Sequence, residues 1–396
     1  MIGSGMNGAA VIWFILQRTH SESWLGFLVV IQALPALLLM PFSGVVTDRE
    51  DRRHIVMFLD AARGLLILAV ALLALHGSVP TWLVITMHVL VSVGFWMFWP
   101  TINALLQELT PEAQFADSNA MLLAGFQGGW LVAGAIVGFV YNHIGIGGIL
   151  LIDFCTYVFS FTCYALLRRG RHIVAHHAPA HFNHPVRQFF HEMREGLSFV
   201  ASRRSLSWIG LTWGLWVGAM MIGGVVTAPI SERILHAGAV GYGWLNAGWG
   251  SGAFTSTFYA ARFIRALGWR VVVPASMALI GCAYCGLPFS HLVLLSFALY
   301  FLGGTARGTG GVALSSGIME VVPKHFMGRV QTLFSIFSII VQIALAPVVG
   351  YIAHTISLTL AILSIAFLYA MATATGALGG RAANSTSLES GARKIA

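Results

Sequence analysis

Apolar runs of about twenty residues recur along the whole chain, and that is the length an α-helix needs to cross the roughly 30 Å hydrocarbon layer of a bilayer. Twelve can be placed: 2–17, 24–46, 55–76, 80–107, 118–142, 146–168, 206–231, 240–264, 271–288, 291–319, 329–353 and 355–378. Lipid offers no partner to a backbone N–H or C=O, so runs of this kind fold as helices. A soluble domain is excluded by charge. Only 9% of the 396 residues are Asp, Glu, Lys or Arg and 57% are hydrophobic, too little polar surface to clothe a protein of this size. The expected fold class is an all-α membrane protein.

A polar stretch divides the runs six and six. This gives an N-terminal bundle over 1–168, a central loop over 169–204, a second bundle over 205–378 and a Ser/Ala/Gly-rich tail over 379–396 read as disordered. Within the central loop, 188–204 reads as an amphipathic helix at the membrane surface. Lys and Arg in short loops mark the cytoplasmic side. With both termini inside, all but four of the 22 Lys and Arg lie in inward loops; Arg18 and Arg233 face outward, and Arg63 and Arg307 stand within spans. The net charge of +8 is thus a topology signal, not a nucleic-acid footprint. The first run is short for a full crossing, so the start reads as shortened.

Between the second and third runs, "GVVTDREDRR" at 44–53 packs six charges into ten positions. These residues resemble the signature loop of the major facilitator superfamily, G-x-x-x-D-R-x-G-R-R, with Asp51 where that pattern has Gly. The Asp variant, with Asp60 and Arg63 following in "FLDAARG", resembles the branch that holds macrolide-efflux and enterobactin-export proteins. "WPTINALLQELTPEAQFADSNAM" at 99–121, "IDFCTYVFSF" at 152–161 and "VPKHFMGRVQTLFS" at 322–335 fit the same branch. The resemblance implies a twelve-helix transporter fold of two pseudo-symmetric six-helix bundles. It also implies a gate on the inner side built from Gly44, Asp48, Arg49, Arg52 and Arg53. Gly44 would permit close helix approach. Asp48 would face the positive end of a neighbouring helix, by resemblance the eleventh, near Gly328 and Arg329. The arginines would pair with acids or lipid phosphates. The alternative is a plain positive-inside anchor.

Ionisable groups within spans are costly and are functional candidates by default. The coupling candidates are Asp60, Arg63, His88, Asp153 and Arg307. Asp60 and Arg63 are three apart on one helix and can pair locally, which favours a structural role. Asp153 lies on the sixth run, peripheral by resemblance, and reads equally as scaffold. His88 can change charge near neutral pH, although a bonded structural His is the commoner case. Arg307 sits in a Gly-rich stretch of the tenth run, where a lone cation attracts an anionic group, tunes a proton site or brackets two helices. In the superfamily a comparable Arg belongs to the fourth span. Candidate contacts in an apolar substrate cavity are Asn7, Gln32, Asn103, Gln127, Trp213, Trp216 and Asn246, each also a possible helix-packing contact.

Other motifs carry less. "CAYC" at 282–285 has redox spacing but lies in a span, and all four cysteines read as apolar fillers. "GYGWLNAG" at 241–248 opens a helix without a preceding strand, so it is no dinucleotide site. The central histidines, His172, His176, His177, His181, His184 and His191, form at best a weak metal pattern. The sequon at Asn384 would stay unmodified on the inside.

The reading is a secondary transporter that exports an amphipathic small molecule of drug or siderophore type, by proton antiport. No G-x-x-x-x-G-K-[ST] loop occurs to bind ATP, so the energy comes from a gradient. Direction rests on the resemblance, because the fifth run lacks the proline of the antiporter signature. Uptake or lipid flipping by the same fold is the alternative. A membrane enzyme or sensor is disfavoured because the buried charges are scattered over depths and helices. No cofactor and no metal are expected. The expected partners are substrate, protons and membrane lipids, with the chain a monomer in the inner (plasma) membrane. A reporter fused after Ala396 is expected to register as cytoplasmic; a periplasmic signal would overturn the twelve-span map.

Overall fold

The computed structural model describes residues 2–49, 51–111, 114–167, 185–323 and 326–395, with side chains left out at 40–49, 107, 115–117, 119–120, 123–124, 127, 130–131, 185–188 and 384–395. Each apolar run lies in a helix. In chain order these are α1 Ile2–Thr19, α2 Glu22–Arg49, α3 Arg52–His76, α4 Thr81–Leu109, α5 Phe115–Leu166, α6 Pro185–Ala201, α7 Arg204–Pro229, α8 Gly238–Ser256, α9 Ala260–Leu267, α10 Trp269–Gly286, α11 Val293–Val321, α12 Met327–Thr355 and α13 Leu358–Ile395. Among the described residues there is no strand. The fifth and sixth runs form the two arms of α5, which break at Gly145 with φ 62° and ψ −172°, a conformation essentially restricted to glycine. The eighth run ends in the short helix α9.

Among the described residues, eight helices are long and apolar enough to cross a membrane, counting α5 once. The other spans expected from the sequence are α1, α8 and α11, whose glycines lower their hydropathy. In α8 and α11 those glycines have a packing purpose. A Cβ on Gly252 would strike the Phe301 carbonyl oxygen, and one on Gly304 would strike that of Trp249. A Cβ on Gly248 would lie 2.7 Å from the Phe297 carbonyl oxygen. The two helices therefore touch backbone to backbone, the arrangement small residues permit where lipid supplies no hydrophobic drive between helices.

The chain forms two units: residues 1–20 with 31–189, and residues 21–30 with 190–396. In the first, α1 and α3 pack on α5, and α3 packs on α4. In the second, α7 and α10 pack on α13, α10 packs on α11, and α8 and α12 pack on α11 and α7 respectively. First-on-last, third-on-last and third-on-fourth pairings thus recur in both units. The expected amphipathic helix is α6. It is docked on the start of α12 by stacked Phe199 and Phe326, with centroids 4.2 Å apart, and by Arg329 Nη1 donating to Glu195 Oε2 at 2.8 Å.

The stretch that the sequence reads as a disordered tail carries the end of α13, whose helical backbone runs to Ile395. Extending a helix already nucleated by a packed span costs little, and the segment contains no proline to stop it.

Gly252→Val and Gly304→Val are each expected to cost about 3 kcal/mol or more through overpacking, read as a lower thermal midpoint and lower monodisperse yield. Gly224→Ala, where a Cβ meets nothing within 4 Å, is expected to leave both unchanged.

Candidate functional site

In the first unit, α1, α3, α4 and the second arm of α5 bury a chain of polar groups. Arg63 Nη2 donates to Asp60 Oδ1 at 2.6 Å, the local pairing that their i,i+3 spacing predicts. Ser160 donates to Asp60 Oδ2 at 2.6 Å. The guanidinium carbon of Arg63 lies 4.9 Å from the ring centroids of both Phe98 and Tyr157, a cation held between two aromatic faces. Gly94 leaves the space it needs: a Cβ there would lie 2.7 Å from Arg63 Cδ. Asp153 is 0% exposed. Its Oδ2 accepts from Asn7 Nδ2 at 2.8 Å and its Oδ1 from Thr156 at 3.4 Å. Gly3 sits against Asp153 and Thr156 without room for a side chain. His88 is buried on α4, and its Nδ1 has no hydrogen-bond partner among the described residues.

The charged loop is legible on its α3 side. Asp51, where the family pattern has Gly, caps α3 by accepting from the Arg53 and His54 backbone N–H groups at 3.0 and 3.5 Å. A carboxylate there also suits the positive end of the helix. Arg53 donates through Nε to the Tyr164 carbonyl at 2.7 Å and through Nη2 to that of Ala165 at 2.6 Å, satisfying acceptors left over at the end of α5. Arg52 donates to the Ala104 carbonyl at 3.2 Å and lies 3.7 Å from Glu108. Arg52 thus lies against an acid, whereas Arg53 binds carbonyls. These bonds tie α3 to the ends of α4 and α5 within one unit. Helix α2 runs through Gly44, Asp48 and Arg49, but their side chains lie outside the described residues. Arg329 bonds to Glu195.

The proposed cavity residues divide. Asn7 is 1% exposed and commits its amide to Asp153. Asn103 and Asn246 donate to carbonyls four residues back, Trp99 at 2.7 Å and Tyr242 at 2.8 Å, and both are half-buried. Gln32 is half-buried; the side chain of Gln127 lies outside the described residues. Trp213 and Trp216 meet edge to face at 5.8 Å. Arg307 is half-buried, and its Nε donates to Met220 Sδ at 2.9 Å. Of the central histidines, His191 lies 3.6 Å from Glu195; His172, His176, His177, His181 and His184 fall outside the described residues. All four cysteines are unbonded and exposed.

Sequence reasoning missed one cluster. Glu22, at the start of α2, has a fully buried side chain, whereas Arg233 and His354 keep 44% and 39% of theirs exposed. Arg233 Nη2 lies 2.8 Å from Glu22 Oε1 and donates to Oε2 at 3.1 Å. His354 Nδ1 lies 3.2 Å from the same Oε2. Arg233 is presented by a π turn, Ile230–Ile234, that continues α7. Gly26 and Gly350 let α2 and α12 meet closely enough for this: a Cβ on Gly350 would lie 2.8 Å from the Glu22 carbonyl oxygen. The partners are 211 and 332 residues from Glu22, so no local pattern reveals them. The one local signal is a lone acid at the mouth of an apolar run.

Residues 1–338 match the family model described as Major Facilitator Superfamily. An uncharacterized MFS-type transporter, YkuC of Bacillus subtilis (strain 168), is 23% identical over 360 residues, covering 86% of this chain and 80% of that protein. Macrolide efflux protein A of Streptococcus pyogenes is 25% identical over 171 residues, 42% of each chain. Among solved structures, a bacterial homolog of the human lysosomal transporter Spinster superposes with TM-score 0.69 at 13% identity, covering 96% of this chain and 95% of that one. The nucleoside transporter NupG superposes with TM-score 0.71 at 12% identity, covering 95% and 98%.

The Glu22 cluster predicts an asymmetry. Arg233→Gln leaves a fully buried carboxylate short of its main counter-charge, a loss expected to cost about 3 kcal/mol. Glu22→Gln frees two half-exposed cations that water can solvate, and should cost less. Thermal unfolding of both variants checks the order; a larger loss in Glu22→Gln would refute it.

Proposed function

The chain belongs to the major facilitator superfamily, and we propose that it exports an amphipathic small molecule by alternating access in exchange for protons. It is a multi-pass membrane protein and a transporter, not an enzyme. Export is supported by the similarity to macrolide efflux protein A over 171 residues. Proton exchange is supported chiefly by the surroundings of Asp153. Its hydrogen-bond donors, Asn7 and Thr156, are neutral, and Arg63 is bonded to Asp60. Asp153 can therefore take up or release a proton without breaking an ion pair. Asp60 would first have to release Arg63, so it serves better as scaffold.

The bond from Asn7 gives a proton on Asp153 something to move. Asn7 belongs to α1, and its Oδ1 has no hydrogen-bond partner among the described residues. Protonated, Asp153 becomes a donor as well as an acceptor, so the α1–α5 contact would change from amide-to-carboxylate to acid-to-amide. A one-proton change at α5 would then be felt by α1. The inner loop, with Arg52 and Arg53 fastened to α4 and α5, serves as the firm base from which Gly44, Asp48 and Arg49 would gate.

Everted membrane vesicles with an acidic lumen test the whole reading. Gradient-dependent accumulation of a macrolide or another amphipathic compound is expected, and collapse of the gradient should abolish it. Accumulation only in right-side-out vesicles would indicate uptake. Movement of fluorescent lipid between leaflets, without accumulation, would indicate flipping. Asp153→Asn is expected to remove the response to the gradient while permitting downhill equilibration. Undiminished gradient-driven accumulation in that variant would remove Asp153 from the coupling role.

A further inference from the structure

Arg307 stands far inside α11 and, among the described residues, its one described hydrogen bond is not to a carboxylate. No Asp or Glu occurs in α7, α8, α10 or α12, or in α13 before residue 380. The acid on its own helix, Glu320, is thirteen residues further along, about 20 Å at helical rise. Glu320 is also occupied, accepting from Trp269 Nε1 at 2.8 Å and Arg270 Nη2 at 3.1 Å. The bond described for Arg307 is from Nε to the Met220 thioether, 2.9 Å away, and a thioether is a weak acceptor for one of the five donors a guanidinium carries. A cation inside a membrane is ordinarily paired or faces water.

The groups around Arg307 extend the imbalance. Trp216 lies one turn before Met220 on α7, and its ring fills the space beside Gly311, where a Cβ would be 2.9 Å from it. The Trp216 side chain is 8% exposed, and its Nε1 has no hydrogen-bond partner among the described residues. Tyr369, on α13, is 0% exposed, and its hydroxyl is likewise without a partner there. It stacks on Tyr284 at 5.6 Å and lies near enough to Arg307 to interact with it electrostatically. Arg and Trp can only donate, and a phenol donates readily. Three donors on neighbouring helices therefore have, among the described residues, no acceptor but one thioether. Leaving such donors unmet in the interior is costly, and the half-burial of Arg307 and Met220 leaves a route of approach.

We infer that Arg307, Trp216 and Tyr369 form an oxyanion site, and that the amphipathic molecule carried by the protein bears a carboxylate, sulfonate or phosphate that docks there. This rests on the export reading above and names the charge of its substrate. A planar guanidinium matches a carboxylate or phosphate through paired N–H bonds, the indole and phenol supply further donors, and the surrounding apolar helices receive the remainder of the molecule.

The test uses full-length protein in nanodiscs and several amphipathic acids, each beside its uncharged methyl ester: cholate, decanoate and naphthalene-2-carboxylate. Binding is read by tryptophan fluorescence and thermal shift. At least one acid is expected to bind wild type about tenfold more tightly than its ester, as for a charge-assisted bond worth about 1.4 kcal/mol. Arg307→Gln should reduce the preference to less than about twofold, Arg307→Lys should keep part of it, and Trp216→Phe should weaken the acid but not the ester. Monodisperse elution of each variant separates lost binding from lost folding, and Trp216→Phe keeps the test open if Arg307→Gln fails to fold. No acid preference in any pair, or a preference that survives in Arg307→Gln, would overturn the site. Inorganic phosphate or chloride binding as tightly as the acids would overturn its assignment to an organic ligand. Gradient-driven export of uncharged compounds without acid preference would sink this inference and leave the export reading standing.

Discussion

A hydrocarbon interior accepts no hydrogen bond, and most of this molecule follows from that. Every span must close its backbone bonds on itself, so every span is a helix. Burying apolar faces gains little when lipid is equally apolar, so the helices must attract one another by contact. Glycines in α8 and α11 bring backbone against backbone, and hydroxyls such as that of Tyr300, donating to Thr227 at 3.1 Å, stitch neighbouring helices. The low hydropathy of these helices is thus the chemical mark of close packing.

The same constraint governs charge, and the two units meet it differently. In the first, Asp60 and Arg63 neutralise each other and Ser160 takes up the remaining carboxylate oxygen. Asp153 is left with neutral donors and freedom to change its protonation. In the second, Arg307 has a sulfur for company and donors for neighbours. One unit holds a carboxyl group bonded to neutral donors, the other a guanidinium whose described bond is to a thioether. The proposed exchange of protons for an acidic substrate draws on both.

What the sequence reveals depends on how far apart the partners are. The twelve runs, the break between the fifth and sixth, the amphipathic helix at α6 and the pairing of Asp60 with Arg63 all rest on contacts within a few residues, and the sequence carries them openly. Asp51 was visible as a departure from the family loop, but its purpose as the cap of α3 appears only once the helix start is fixed. The helical backbone of 379–395 is not legible in its composition, which speaks of solvation. The donors around Arg307 come from three helices, and the partners of Glu22 come from elements far along the chain. Pairings of that kind leave no periodic trace, because each residue alone looks like an ordinary polar side chain in an apolar run.

The distance in sequence between Glu22 and its partners also sets a timetable for making the protein. Arg233 is synthesised 211 residues after Glu22 and His354 332 residues after it. At about 5–20 residues per second, Glu22 waits roughly 10–40 seconds for its arginine and 17–66 seconds for its histidine. During that time α2 is already made, and the end that carries Glu22 cannot be packed as in the finished chain without trapping a carboxylate apart from its partners. Until the later helices arrive, that carboxylate has to stay in water or take up a proton, so the packing of this end of α2 waits on residues made long after it.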